Sequence, residues 1–192
     1  MALPLGVILR DMLHYVDTAA EVTKLLHTKE VLVDGIRRHD SRLAVGLFDV
    51  ITLKNINKHH RVIFDTKGRL DLCDLSPAEA HVKLGKIVGK TTVSKGKIQY
   101  HLHDGKNILS TKQANVGDTF VLALPSLEVK EILPLKPGMM VFLVQGKHST
   151  DVGTLKEVKG KEATYIIDKK EVGTSKKYLF VVGDKKPVIT LA

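Results

Sequence analysis

From Val31 to the end of this 192-residue chain, apolar residues come in runs of four to eight, and turn residues separate the runs. Asp34-Gly35, Lys67-Gly68, Lys95-Gly96, Asp104-Gly105 and Pro137-Gly138 are among these breaks. No run sustains the three-and-four spacing of a helix, while β-branched and aromatic residues alternate within several of them. A chain punctuated this way folds into short antiparallel strands, arranged as small barrels or sandwiches. The segments VLVDGIRR, FDVITL, HHRVIFD, RLDLCDL, HVKLGKIVGKTTV, GKIQYHLH, TFVLALP, EVKEILPL, MMVFLVQ, GTLKEVK, EATYIID, KYLFVVG and PVITL are the strand candidates.

Only the first thirty residues break this rule. Leu5, Ile8, Leu9, Met12, Leu13 and Val16 make one apolar stripe at helical spacing, and Pro4 suits the first turn of such a helix. Thr18-Ala19-Ala20-Glu21 reads as a capping box, in which the Thr18 hydroxyl accepts from the Glu21 amide while Glu21 reaches back. Behind it Ala19, Val22, Leu25 and Leu26 form a second short amphipathic helix, so the two helices should pack as a hairpin. Ser76-Pro77-Ala78-Glu79-Ala80 suggests a single capped helical turn between strands.

Three modules follow from these patterns: residues 1–53, 54–134 and 135–192, the last opening at the Pro134–Gly138 stretch. Charge divides unevenly among them. Thirty Lys and Arg against twenty-one Asp and Glu give +9 and a pI near 9.5, yet residues 1–53 carry a net of −1 and each later module carries +5. An excess of this sign favours polyanionic partners. No apolar run approaches the roughly 18 residues of a membrane helix, so no membrane partner is expected. One cysteine, Cys73, excludes an internal disulfide and fits a reducing compartment, here taken as the cytoplasm.

Two stretches imitate chemistry. In HLHDGKN, His101 and His103 share one face of a strand, a geometry that zinc sites use, but spacing picks no third ligand. Asp104-Gly105 in the same stretch is a strong hairpin signal, suited to a two-residue turn with both central residues at positive φ, and this explanation takes precedence. Gly68-Arg69-Leu70-Asp71 resembles the catalytic motif of pseudouridine synthases. The threonine and glycine that continue that motif are missing, and a Thr66-Lys67-Gly68 turn followed by an alternating strand accounts for the same residues. No phosphate-binding glycine loop and no nucleophile elbow occurs. The residues ask for no cofactor, no metal and no small-molecule substrate.

The basic residues are the stronger constellation. Arg10 lies on the first helix and Lys24 on the second, and Arg37, Arg38, His39 and Arg42 cluster after the Asp34-Gly35 turn. If extended, Arg37 and Arg38 point to opposite faces. Aromatic residues are 5% of the chain and are not interleaved with basic ones, which favours contact with the backbone of folded RNA over reading of single strands.

In order along the chain, LPLGVILRD, VLVDGIRRHD, VGLFDVI, HHRVIFDTKGRLDL, SPAEAHVKLGKIV, IQYHLHDGKNI, VGDTFVLALP and YLFVVGDKKPVITL resemble the archaeal and eukaryotic small-subunit ribosomal proteins of the S4e family. PGMMVFLVQGKHSTDVGTL resembles a KOW motif. The resemblance implies an α+β, mostly β protein: a helical-hairpin RNA-binding module, a central β domain and a C-terminal SH3-like KOW barrel. It implies a non-catalytic structural constituent of the small ribosomal subunit, a component of the translation machinery, with small-subunit rRNA and neighbouring ribosomal proteins as partners. Carried onto this sequence, the RNA-facing positions are Arg10, His14, Lys24, Arg37, Arg38 and Arg42, with Lys147 in the KOW loop beside Gly146 and Gly153. Thr150 and Asp151 stand where glycine and a basic residue are usual, which points that loop toward packing or protein contact. Family members also carry several dozen basic residues before the LPL stretch, so the sequence reads either as truncated or as a shortened member. Two alternatives stay open: an RNA-modifying enzyme built on Asp71, and a free RNA-binding regulator or assembly factor.

Overall fold

The computed structural model describes residues 1–93, 96–146, 148–168 and 170–191. The protein is α+β and mostly β, and it divides into two compact units. The first holds Met1–Lys83 with Leu124–Ser126 and Leu191; the second holds Leu84–Ala123 and Leu127–Thr190.

In the first unit, β1 (Ala2–Pro4) pairs with a later strand, and the chain then turns directly into α1 (Leu5–Val7). Pro4 is thus the extended residue ahead of the helix, not part of its first turn. The first helix is also shorter than its apolar stripe suggests. After α1 the chain winds as a π-helix over Ile8–Met12, with the Leu13 N–H donating to the Ile8 carbonyl, and it ends at His14, whose φ is +50°. Leu5, Ile8 and Leu9 are fully buried, but the wider winding moves Met12, Leu13 and Val16 off that face and leaves them half-buried. The second helix, α2 (Ala19–Thr28), begins at the expected capping box: Thr18 Oγ1 accepts from Glu21 N–H, and Glu21 accepts from Thr18 N–H. It buries Val22 and Leu26.

A five-stranded antiparallel sheet follows, ordered β3-β2-β5-β6-β7 from β2 (Val31–Val33), β3 (Ile36–Arg37), β5 (Val50–Leu53), β6 (Lys58–Phe64) and β7 (Leu70–Asp74). The strand β4 (Ala44–Gly46) pairs with β1 instead. Asp34 and Gly35, at φ +53° and +76°, form the hairpin turn between β2 and β3 that Asp-Gly announces. Leu53 ends β5, where it pairs with Lys58, and Lys54 opens the 3₁₀ turn that joins β5 to its neighbour β6 in this one sheet. The Ser76–Ala80 stretch leads into a 3₁₀ turn at Glu79–His81, with Ser76 Oγ accepting from Glu79 N–H.

The long strand β8 (Val82–Thr92) leads into the second unit. There β9 (Ile98–Leu102), β10 (Asn107–Ser110), β11 (Thr119–Ala123) and β12 (Glu128–Leu133) join it in the order β10-β9-β8-β11-β12. Ile87, Tyr100, Leu102, Ile108, Ala114, Phe120 and Leu122 form its core, with the rings of Tyr100 and Phe120 edge to face at 5.1 Å. A third five-stranded sheet completes this unit: β13 (Met140–Leu143), β14 (Val152–Lys159), β15 (Glu162–Ile167), β16 (Lys170–Ser175) and β17 (Leu179–Gly183), ordered β16-β15-β14-β13-β17. Among the described residues, the expected final strand PVITL forms only a single bridge, Gly183 with Pro187. Residues 134 and 135 fall between the two sheets, inside one compact unit.

Candidate nucleic-acid interface

Most of the basic residues of the first unit fall into two groups. One group is paired with other residues of the chain. Arg10 forms a two-pronged contact with its neighbour Asp11, at 2.6 and 2.8 Å, and that bond holds the Arg10 pKa up and the Asp11 pKa down. Its charge is largely neutralised where it stands. Arg61 is completely buried on β6 and donates to the backbone carbonyls of Glu79 and Val82 at 3.1 and 2.9 Å. Lys83, equally buried, bridges two buried carboxylates: Asp34 at 2.7 Å, and Asp49. Lys54 pairs with Glu30 and Arg69 with Asp65.

The other group gathers at the C-terminal end of α2. Arg37 on β3 reaches across and donates to the carbonyl of His27 at 3.1 Å, and His39 Nδ1 lies 3.1 Å from the Leu26 carbonyl. The imidazoles of His27 and His39 stack with centroids 5.6 Å apart. Carbonyls left unpaired at a helix end carry partial negative charge, so a guanidinium and two imidazoles complement them while their outer faces stay in solvent. Lys24 is exposed one turn earlier on α2, where its carbonyl accepts from Thr28 Oγ1. Arg38 follows Arg37 and points the other way: it is half-buried, and its Nε is enclosed with no hydrogen-bond partner. Arg42 is exposed in the loop before β4, and His14 is exposed at the end of the first helical segment. Of the basic residues singled out in the sequence, Arg37 and His39 are tied to the helix end. His27 was missed, although an imidazole in a helix's last turn is a recognisable signal.

Beside Arg37 runs a groove of about 560 Å³, also lined by Lys54, Asn57, His59 and His81. Thr52 Oγ1 lies 3.0 Å from His59 Nδ1 and steadies that ring. Burial, and then the neighbouring His81, push the His59 pKa below the ordinary imidazole value. Glu30 lines the same groove and pairs with Lys54, so the groove carries both signs of charge.

The two motifs that imitate chemistry resolve into structure. His103, Asp104 and Gly105 form a three-residue loop: Gly105, at φ +82°, donates to the Leu102 carbonyl, and Leu102 N–H donates to Lys106. The hairpin is present, but as a turn with a glycine bulge and not as the two-residue turn that Asp-Gly suggests. Both His101 nitrogens are engaged, Nε2 with Thr91 Oγ1 at 3.0 Å and Nδ1 with Asn107 Oδ1 at 2.6 Å. His103 packs edge-on against Phe180. Neither ring is held ready for a metal. Asp71 sits exposed on β7, its carboxylate accepting from the Leu72 N–H.

Lys147 lies outside the described residues. Around it, Gly146 has φ +105° and Thr150 has φ +79°. A Cβ on Gly153 would stand 2.6 Å from the Ile166 carbonyl oxygen, so the pairing of β14 with β15 requires glycine there. Asp151 accepts from the Tyr165 hydroxyl at 3.2 Å and lies 3.3 Å from His148 Nδ1. Burial and the Asp151 charge push the Tyr165 pKa up to about 12. The acid at this position is engaged by its own sheet.

Comparison with known proteins connects this arrangement to one family. Residues 56–129 match the description of ribosomal family S4e. The small ribosomal subunit protein eS4 of Methanosphaera stadtmanae is 37% identical over 99% of this chain and 81% of its own length. That of Methanocaldococcus jannaschii is 39% identical over 99% and 83%. The crystal structure of the 30S ribosomal protein S4e from Thermoplasma acidophilum superposes with a TM-score of 0.81 at 28% identity, covering 95% of both chains. Similarity of this extent, carried through sequence and fold alike, makes the chain a member of ribosomal family S4e.

Proposed function

We propose that the chain is a structural constituent of the small ribosomal subunit, holding folded small-subunit rRNA through phosphate and sugar contacts. The observation that carries this is the near full-length kinship with small ribosomal subunit protein eS4. Its partners are small-subunit rRNA and adjoining ribosomal proteins, and its place is the ribosome in the cytoplasm. It performs no catalysis.

Residues 1–53 act as the RNA-binding module, with α1 and α2 as an abbreviated helical hairpin. Lys24, Arg37 and Arg42 make the principal phosphate contacts, with His27 and His39 supplying further donors at the end of α2. Arg10 contributes less, because Asp11 already occupies its guanidinium. His14 and Arg38 lie at the margin of this surface, the latter through the solvent-facing part of its guanidinium. Residues 54–134 act as a central β domain and residues 135–192 as an SH3-like KOW barrel, in which Lys147 offers one phosphate contact. Engagement of Asp151 within the barrel supports a packing role for the rest of that loop.

Retention on the ribosome tests this. A structural constituent remains at one copy per small subunit after washing at high salt. Release at moderate salt, with sub-stoichiometric occupancy before washing, would instead identify a free RNA-binding regulator.

A further inference from the structure

The second unit contains a lysine-lined pocket of about 640 Å³, far in sequence from the basic surface of the first module. One wall is β8 at Lys86–Val88 together with the Val116-Gly117 turn. Backbone bonds pin that turn to the strand, Gly117 N–H to the Ile87 carbonyl and Ile87 N–H to the Asp118 carbonyl, both 2.9 Å. The opposite wall is the β14–β15 turn at Lys161 and the 3₁₀ turn at Lys176–Tyr178, joined by Lys176 N–H donating to the Lys161 carbonyl at 2.9 Å. Gly117 makes room for this meeting: a Cβ there would lie 3.4 Å from Lys176 Cε.

Four lysines line the pocket, Lys86, Lys161, Lys176 and Lys177, and no carboxylate is among the lining residues described. Lys86 is buried and donates one of its three N–H groups to the Lys177 carbonyl at 2.7 Å. Lys177 rests its own ammonium over the Tyr178 ring, 4.9 Å from the centroid. Lys161 is exposed and Lys176 half-buried. Between these cations stand Val88 and Val116, two apolar side chains about half-exposed at 53% and 45%. Cations gathered without a counter-charge around an apolar rim suit a ligand that is anionic at one end and flat and apolar at the other.

We propose that this pocket is a second RNA site, taking one unstacked nucleotide of small-subunit rRNA. Its phosphate lies against Lys161 and Lys176, and its base or ribose against Val88 and Val116. The proposal rests on the ribosomal function given above. The volume falls within the roughly 300–1,000 Å³ of small-ligand sites. An acidic peptide would satisfy the lysines but brings only one or two methylenes per carboxylate to the valines. With no aromatic side chain among the described lining residues, base identity matters little.

Burial, then the charge of Lys176, lowers the Lys86 pKa to about 8. Lys161 and Lys177 add positive charge on the same side, and His103 Nδ1 accepts from the Lys86 backbone N–H on the other. A bound phosphate offsets this repulsion, so the Lys86 pKa rises on binding and affinity falls as pH climbs past 8.

The test follows the backbone amide signals of Val88, Gly117 and Ser175 in the full chain by NMR, with four probes: hexauridylate, uridine monophosphate, inorganic phosphate and hexa-aspartate. Hexauridylate should move these signals and raise the Lys86 titration midpoint, and uridine monophosphate should bind more tightly than phosphate. The Lys161→Gln/Lys176→Gln variant, altered only at solvent-accessible positions, should keep its melting temperature and bind hexauridylate at least about fivefold more weakly, with the salt slope reduced by about 1.4. Signals unmoved by either uridine probe overturn the proposal. Equal response to uridine monophosphate and phosphate overturns the nucleotide assignment, and tighter binding of hexa-aspartate assigns the pocket to an acidic protein. Small-subunit rRNA, tested alongside an unrelated structured RNA, separates the two claims. If rRNA is preferred while the pocket signals stay still, the pocket fails alone. If the oligonucleotide moves them while rRNA is not preferred, the ribosomal function fails.

Discussion

The two units solve the problem of holding short strands together in different ways. In the first, charge is built into the interior: Asp34, Asp49, His60, Arg61 and Lys83 are all buried, and Lys83 ties the β2–β3 turn and the start of β5 to the start of β8. In the second, an apolar cluster around Tyr100 and Phe120 forms the core of the central sheet, and among the described residues the buried charges are Asp118 and Lys86, the latter in the pocket wall. The difference teaches that charge counted along the sequence is not charge offered to RNA. Residues 1–53 carry a net of −1, and Arg10 is paired locally, so under the function proposed above this module would bind through the few cations at the end of α2. The second unit has the surplus, and Lys161 and Lys176 are placed to use it.

The largest effect should come from Lys83. Lys83→Met leaves Asp34 and Asp49 buried beside an apolar chain, and breaking such a buried ion set costs about 3–5 kcal/mol. The denaturant midpoint of the first unit should fall accordingly, and adding Asp34→Asn with Asp49→Asn should recover part of the loss. A Lys83→Met midpoint close to wild type would show that the ion cluster is not the brace of this unit.

Tyr100→Phe is the matching change in the apolar unit. The Tyr100 hydroxyl donates to the Lys112 carbonyl and accepts from the buried Ala114 N–H, so its removal should destabilise by about 1–3 kcal/mol. The loss should not depend on salt. A salt-dependent loss would blur the contrast between the units.

Protonation sharpens the contrast further. Burial, outweighing the attraction of Asp74 at 2.7 Å, lowers the His60 pKa below the ordinary 6.5. The unfolded chain therefore binds this proton more readily than the folded one. His60 thus stabilises fully above pH 6.5, and that contribution is lost as pH falls through the unfolded value toward the folded one. Melting temperatures measured between pH 7.5 and 5 should decline, and His60→Gln should flatten the decline while Tyr100→Phe leaves its slope unchanged.

The smallest effects concern the RNA surface. Arg37→Gln should weaken binding of small-subunit rRNA several-fold and reduce the salt slope by about 1, whereas Arg10→Gln should change affinity less than about twofold because Asp11 already holds that guanidinium. Equal losses at the two positions would mean that Arg10 abandons Asp11 for RNA.

Much of the local structure was legible because it is written in local chemistry. Thr18 and Glu21 cap α2 as their spacing requires, and Asp34-Gly35 turns the chain between β2 and β3. The π-winding at Ile8–Met12 was not, since an apolar stripe at three-and-four spacing does not reveal an extra residue per turn. Nor could alternation show that Arg61 and Lys83 face inward: the partners of Lys83 lie 49 and 34 residues away, and only the assembled fold brings them together. The pocket at Lys86 has the same origin, built from four segments between residues 86 and 177. Of the interface, the cluster after the Asp34-Gly35 turn was readable from its basic residues; the stacking of His27 on His39 was not.

The most direct test of the central claim is binding of the full chain to small-subunit rRNA across a fourfold range of salt, with an equally long unrelated structured RNA as competitor. Contact with about six phosphates predicts preference for the rRNA and a loss of roughly a thousandfold in affinity over that range. Equal binding to both RNAs, or an affinity indifferent to salt, would contradict an architectural role carried by phosphate contacts.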